Sequence, residues 1–208
     1  MTKQTTEHWN TVYRTRDDAE VSWFDPGASE SFETVASLIA PGDPVLDVGA
    51  GASRLVDRLL AEGYGPVDVL DLSEAALEIS RKRLGALGDG VGWIAADITA
   101  WTPDRTWALW HDRAVFHFLT GSADRAAYIR ALARALRHGG HAVISTFADD
   151  GPEICSGLPV VRYAPDELAA EFDNLASGAF MPLASSRHVH RTPGGGEQRF
   201  QTSLFRRR

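Results

Sequence analysis

From Val45 onward, apolar runs of strand length alternate with segments whose apolar residues recur at helical spacing, and this alternation constrains the fold more than any other feature. Strands separated by helices pair in parallel, and their crossovers cover both faces of the sheet. The pattern predicts strands near 44–48, 67–72, 91–95, 106–110 and 141–147, with helices near 53–63, 73–84 and 122–137. Two short helical segments precede the first strand, and a further helix begins near Pro165. Ser73 is placed to cap the 73–84 helix, with Leu72 set against Leu77 as a hydrophobic staple. Ser122 stands before the 122–137 segment, Asp124 suits the positive end of its dipole, and Gly139 with Gly140 is expected to stop it. In "SSRHVHRTPGGGEQRFQTSLF" two alternating segments flank a Pro-Gly-Gly-Gly turn, which predicts an antiparallel hairpin. The fold class is α/β, a doubly wound, mostly parallel sheet with a C-terminal antiparallel β-hairpin.

With 208 residues, one domain is expected. Within it, residues 1–43 form an N-terminal helical lid region, 44–147 the ligand-binding core, and 148–208 a substrate-side loop, helix and hairpin. A formal charge of −7 argues against a nucleic-acid surface, since affinity for a phosphate backbone rests on lysine and arginine. The terminal run Arg206 to Arg208 reads as a short solvated tail. A single cysteine, Cys155, forms no intrachain disulfide, no apolar run approaches the ~20 residues of a membrane helix, and "MTKQTTEHWN" lacks a signal peptide's apolar segment. A cytoplasmic protein without a membrane partner is expected.

In an open parallel sheet the ligand sits at the carboxyl ends of the strands. Those ends carry Asp47 to Gly51, Asp71 with Leu72, Asp97, and His111 to Arg113. In "VLDVGAGAS", Gly49 and Gly51 allow a tight turn and close approach to a ligand. The same device serves dinucleotides, but here Arg54 replaces the third glycine of G-x-G-x-x-G, and Asp47 would stand beside any pyrophosphate and repel it. A ligand with a cationic centre and no phosphate removes that conflict.

The ordered set "VLDVGAGAS", "VLDLS", "AADIT" and "LWHDRAVFHFL" resembles the successive motifs of the class I S-adenosylmethionine-dependent methyltransferases, over residues ~44 to 147. The resemblance implies a Rossmann-like, seven-stranded architecture and S-adenosyl-L-methionine as cofactor, with S-adenosyl-L-homocysteine as product. It assigns the Gly49 to Gly51 loop, with Ala50, to the methionine end, Asp71 to the ribose, and Asp97 with Ile98 to the adenine, and it counts Asp47, Ser53 and Leu72 among the cofactor-binding residues. His111 and Asp112 would form the wall beside the sulfonium, and Trp23 a face of the lid. A carboxylate accepting both ribose hydroxyls contributes roughly 1.5 to 3 kcal/mol per bond.

Methyl transfer is an in-line displacement, so the protein mainly aligns the nucleophile and excludes water. A base is needed only for a protonated acceptor. The catalytic candidates are His117, Arg113 and Asp112, each with a plainer alternative. His117 is a base if it faces the cleft and otherwise a hydrogen-bonded core histidine; Arg113 binds an acidic acceptor or joins a structural ion pair. Trp9, Tyr13, Trp23 and Phe24 make the N-terminal stretch too aromatic for a solvated tail; they form a lid or pack as core. The loop "ADDGPEICSGLPVVRY" is placed for substrate selection, and Cys155 within it reads as an inert small residue. His188 and His190 share one face of the hairpin, but with no third ligand no metal is expected. A small-molecule methyl acceptor is expected, with a protein lysine as the alternative. From other classes, an NAD-binding oxidoreductase and a non-catalytic cofactor-binding protein remain as competing readings.

Overall fold

The computed structural model describes residues 3–208. Two helices, α1 (Lys3–Thr15) and α2 (Ser29–Ala36), precede β1 (Val45–Val48). The alternation follows as α3 (Leu55–Ala61), β2 (Val67–Asp71), α4 (Glu74–Leu84), β3 (Gly92–Ala95), β4 (Trp107–Arg113), α5 (Ser122–Ala135) and β5 (Leu136–Phe147). After a two-stranded ribbon, β6 (Ile154–Cys155) with β7 (Leu158–Pro159), come α6 (Pro165–Leu175), β8 (Phe180–Arg191) and β9 (Glu197–Arg207).

The main sheet has seven strands in the order β3-β2-β1-β4-β5-β9-β8. The first five are parallel, while β9 runs antiparallel to both β5 and β8. The chain winds outward from β1 through β2 to β3, then crosses back to β4, so a switch point opens between β1 and β4. Every residue of β1 and β2 is buried, because side chains of alternate parity meet different apolar layers. Leu46, Val48, Trp110 and Ile144 pack with α5 and α6 on one face, and Val45, Val67, Leu109 and Val143 pack with α2, α3 and α4 on the other. No helix among the described residues is long and apolar enough to cross a membrane.

Ser73 caps α4 as expected, its Oγ accepting from the Ala76 amide at 3.2 Å. Four other expectations are corrected. The N-cap of α5 is Gly121, with no side-chain bond, and Ser122 is the first helical residue. That helix ends at Ala135, ahead of the glycines, because buried Leu136 turns extended and pairs with Trp107. Gly139 and Gly140 instead lie within β5, where a Cβ on Gly140 would stand 2.8 Å from the Ala108 carbonyl. The fourth strand runs on to Arg113, paired with Ser145, so His111 to Arg113 are strand residues with fixed side-chain directions. The terminal arginines are not a tail: Arg206 and Arg207 close β9, and Arg207 Nη1 donates to the Ala133 carbonyl.

Candidate functional site

The carboxyl edge of β2, β1 and β4 carries three buried acids, Asp71, Asp47 and Asp112, with 8%, 2% and 0% exposure. Their partners give them different roles. Asp71 Oδ2 accepts from the Gly51 amide at 2.8 Å and Oδ1 from the Ser73 amide at 2.7 Å. It thereby ties the glycine turn to the start of α4. Burial pushes its carboxyl up to about 6, against the pull of those amides. Asp112 accepts from the Val115 and Phe116 amides and, at 2.5 Å, from the Tyr128 hydroxyl. It holds the turn after β4, and burial likewise pushes it up to about 6.

Asp47 Oδ1 stands 2.7 Å from His111 Nδ1, while its Oδ2 is buried without a hydrogen-bond partner among the described residues. An ionised carboxylate only accepts, so Nδ1 carries the proton, and in the neutral ring Nε2 accepts from Ser31 Oγ at 3.0 Å. The result is a chain from α2 through β4 to β1.

Above these acids the turn after β1 places Gly49 at φ +64 and Gly51 at φ +54. A Cβ on Gly49 would lie 1.9 Å from Val115 Cγ2, and one on Gly51 2.3 Å from the Tyr13 hydroxyl oxygen. The Gly49 and Ala50 amides both donate to the Leu70 carbonyl, which closes the turn against β2. Tyr13 brings α1 across the turn, and Asn10 Oδ1 accepts from the Ser73 hydroxyl at 2.8 Å.

Three adjoining cavities open on this edge. The first is walled by Val48, Leu70, Leu72 and Ile98, together with Asp71. Trp9 lies edge-to-face against Trp23 and Phe118, at centroid distances of 5.7 and 5.2 Å, closing this cavity with aromatic faces. The second shares Tyr13, Trp23 and Gly49 with the first and adds Asp47, Ala50, Ser53 and His111. The third, about 350 Å³, lies between Phe24 to Thr34 on one side and β8 on the other. Arg113 lines all three.

Of the residues expected from sequence, Asp47, Gly49, Ala50, Ser53, Asp71, Leu72, Ile98, His111 and Trp23 line the first two cavities, and Gly51 shapes the turn between them. Three others fall elsewhere. Asp97 is not on these cavity walls, and its Oδ1 accepts from the Thr99 amide and hydroxyl, a local turn. Asp112 lies beneath the walls as the turn anchor already described. His117 is fully buried, its Nδ1 accepting from the Phe147 amide at 3.3 Å, with the ring packed between Phe118 and Phe147. Burial drives that imidazole down to about 3, so it is the core histidine rather than the cleft base.

Sequence reasoning missed Ser31, whose helix carries no motif, and did not single out Val115 and Phe118 within "LWHDRAVFHFL". Cys155 lines the first cavity, and burial raises its thiol to about 12, which keeps it protonated. His188 Nδ1 sits 2.7 Å from Glu30 Oε1, and His190 Nε2 is 2.9 Å from the Ser22 carbonyl. Among the described residues no histidine, cysteine or acid cluster has the makings of a metal site.

The edge fits a ligand with a cationic centre. It offers one buried, unpartnered carboxylate oxygen, a glycine turn with no room for side chains, and a second carboxylate in an otherwise apolar, aromatic-capped recess. Residues 45–140 match the family model described as Methyltransferase domain. A curated relative, the ribosomal RNA small subunit methyltransferase A of Anaeromyxobacter dehalogenans, is 40% identical over 73 residues, 34% of this chain and 24% of that protein. The eEF1A lysine and N-terminal methyltransferase homolog of Drosophila melanogaster is 23% identical over 145 residues, 66% of this chain and 21% of that protein. The chain thus spans about a quarter or less of the length of these curated relatives. Among solved structures, the Burkholderia thailandensis 1,6-didemethyltoxoflavin-N1-methyltransferase, with 1,6-didemethyltoxoflavin and S-adenosylhomocysteine bound, superposes with a TM-score of 0.74. It is 24% identical, and the match covers 98% of this chain and 87% of that one.

Proposed function

We propose that the chain is a class I S-adenosylmethionine-dependent methyltransferase, as the match of residues 45–140 to the methyltransferase-domain model supports, and that it transfers a methyl group to a small-molecule acceptor by in-line displacement. S-adenosylmethionine, when bound, supplies an electrophilic methyl group on a sulfonium. The observation that carries the reading is Asp47 Oδ2, a buried carboxylate oxygen with no hydrogen-bond partner among the described residues, on the wall of the second cavity. A charge so buried is costly unless a cation meets it, and the methionine end of the cofactor brings one.

Each residue's role follows from its place. Asp47, Gly49, Ala50 and Ser53 receive the methionine end. Asp71 accepts the ribose hydroxyls with the lone pairs its backbone partners leave open. Leu72 and Ile98 flank the adenine, and Trp9, Tyr13, Trp23 and Phe118 exclude water beside the sulfonium. For an acceptor that must lose a proton, His111 Nε2 is the group in reach, and Asp47 fixes its tautomer. Asp97 and Asp112 act on loop shape.

The formal charge of −7 favours a small acceptor over RNA. A protein lysine is the second reading, favoured by the name of the Drosophila relative. Calorimetric titration with S-adenosylmethionine and S-adenosylhomocysteine tests the proposal, and absence of binding at millimolar ligand rejects it. Tritiated methyl transfer into lysate, separated into protein and small-molecule fractions, decides between the acceptors.

A further inference from the structure

Three arginines line the cavities, and two are answered by carboxylates: Arg54 by Asp18 at 3.0 Å and Arg191 by Glu197 at 3.0 Å. Arg113 differs. Among the described residues no carboxylate lies within ion-pair distance of it, although it is largely buried at the carboxyl end of β4. One of its five N–H donors goes to the Trp23 carbonyl, Nη1 to O at 2.9 Å, and its guanidinium lies over the Phe200 ring at 5.4 Å. Both contacts position the group without neutralising it. Its burial lowers its proton affinity, while the fields of Asp25, Glu30 and Asp47 work the other way from a distance.

The acids that share the third cavity with Arg113 are engaged elsewhere. Glu30 meets His188, and Asp25 Oδ1 accepts from the Gly27 and Ala28 amides at 3.1 and 3.0 Å. The third cavity therefore presents one desolvated, positioned cation with unused donors, at the place where it meets the cofactor cavities. A planar guanidinium fork matches a carboxylate, whose two oxygens accept in parallel. A dianionic phosphate fits less well, since one cation would face two added charges within the field of three nearby carboxylates.

Resting on the methyl-transfer reading, we propose that the third cavity holds the methyl acceptor, and that this acceptor is a small molecule bearing a single carboxylate, received by the Arg113 guanidinium. Arg113 then determines specificity: it selects the anion and orients the rest of the acceptor toward the first two cavities.

The experiment saturates the protein with S-adenosylhomocysteine and titrates it calorimetrically with benzoate and with benzamide, which match in shape and differ in charge. Benzoate is expected to bind at least about ten-fold more tightly, and Arg113→Gln, again saturated with S-adenosylhomocysteine, to erase that preference. Arg113→Lys, which keeps the charge and loses the fork, is expected to retain part of the preference and guards against a misfolded glutamine variant. Equal or undetectable binding of the two probes to the loaded wild type overturns the proposal, as does a benzoate preference that survives Arg113→Gln. Loss of S-adenosylhomocysteine affinity in Arg113→Gln with 5′-methylthioadenosine affinity unchanged also overturns it, because the arginine then reads the cofactor's own carboxylate. If the wild type binds no S-adenosylhomocysteine at all, the methyl-transfer reading falls first and this proposal with it.

Discussion

Replacing Asp71 by asparagine separates the two tasks of this carboxylate, holding the glycine turn and receiving the ribose. Folded, the carboxyl ionises near pH 6; unfolded, near its ordinary 3.8. Between those values the folded protein keeps a proton that the unfolded chain releases. The stability this confers is complete below pH 3.8 and lost as pH rises through 6, at about 1.4 kcal/mol per pH unit and about 3 kcal/mol in all. Asparagine does not titrate. Its single acceptor oxygen must also serve two backbone donors, the Gly51 and Ser73 amides, which costs roughly 1 to 3 kcal/mol. Urea unfolding at intervals from pH 4 to 7 should therefore show the variant below wild type at the acid end, with the gap closing by about 3 kcal/mol towards pH 7. A gap independent of pH would mean that the carboxyl ionises at its ordinary value and that burial is not what sets it. At pH 8 the variant should bind S-adenosylhomocysteine roughly ten- to a hundred-fold more weakly, from the loss of charged ribose bonds worth roughly 1.5 to 3 kcal/mol. An unchanged dissociation constant in the folded variant rejects the ribose assignment.

His117 carries the opposite sign. Its folded ring stays neutral down to about pH 3 while the unfolded ring protonates at 6.5, so its stabilisation is full above 6.5 and falls by about 1.4 kcal/mol per pH unit below it; relative to wild type, His117→Phe should gain urea resistance as pH drops from 6.5 to 4. Gly49→Ala combines a left-handed backbone with a Cβ 1.9 Å from Val115 Cγ2, and should cost roughly 2 to 4 kcal/mol. Adding Val115→Ala should recover the steric share alone, so full recovery or none in a double-mutant cycle refutes the division. Tyr128→Phe removes the donor to Asp112 and the acceptor of the Trp110 indole N–H at 2.8 Å, and should lower stability by roughly 2 to 5 kcal/mol in thermal unfolding. A loss under about 0.5 kcal/mol would show that water replaces the hydroxyl.

What was legible in the sequence is what local chemistry dictates. The order of strands and helices follows from apolar spacing, and the hairpin from its glycine turn. The α4 cap follows from a serine at the foot of a helix. Gly49 and Gly51 were legible because a positive φ leaves few alternatives to glycine, and Asp71 because it ends a strand beside that turn. The boundary between α5 and β5 was not, since Leu136 is extended only because Trp107 of another strand pairs with it. Nor was Tyr13 over Gly51 legible: that contact joins α1 to a loop far along the chain, and the aromatic content of α1 says only that it must pack. Ser31 and Phe118 belong to the same class, ordinary residues given a role by the crossing of elements.

The three strand-end acids show where sequence reading stops and why. Asp47, Asp71 and Asp112 each sit at or near the end of an apolar strand, and from sequence each looks equally suited to a ligand. What separates them is which backbone amides reach them. After Asp112 the chain folds back so that the Val115 and Phe116 amides reach both carboxylate oxygens, while Asp71 receives the Ser73 amide that follows it and the Gly51 amide of the turn beyond β1, at 2.7 to 3.1 Å. The turn after Asp47 thus sends its amides away from Asp47, those of Gly49 and Ala50 to the Leu70 carbonyl and that of Gly51 to Asp71. Among the described residues Asp47 is left with one oxygen on His111 and one without a partner. The turn that makes room for a ligand thus also denies the neighbouring carboxylate its internal partner. Emptiness and unmet charge arise from the same few dihedral angles. A test of this coupling is Asp47→Asn, which keeps shape and removes charge. Because Oδ2 has no internal donor to lose, the variant should fold with stability within about 1 kcal/mol of wild type yet bind S-adenosylmethionine at least about ten-fold more weakly. A variant that loses stability and keeps its affinity would place the charge in the service of the fold.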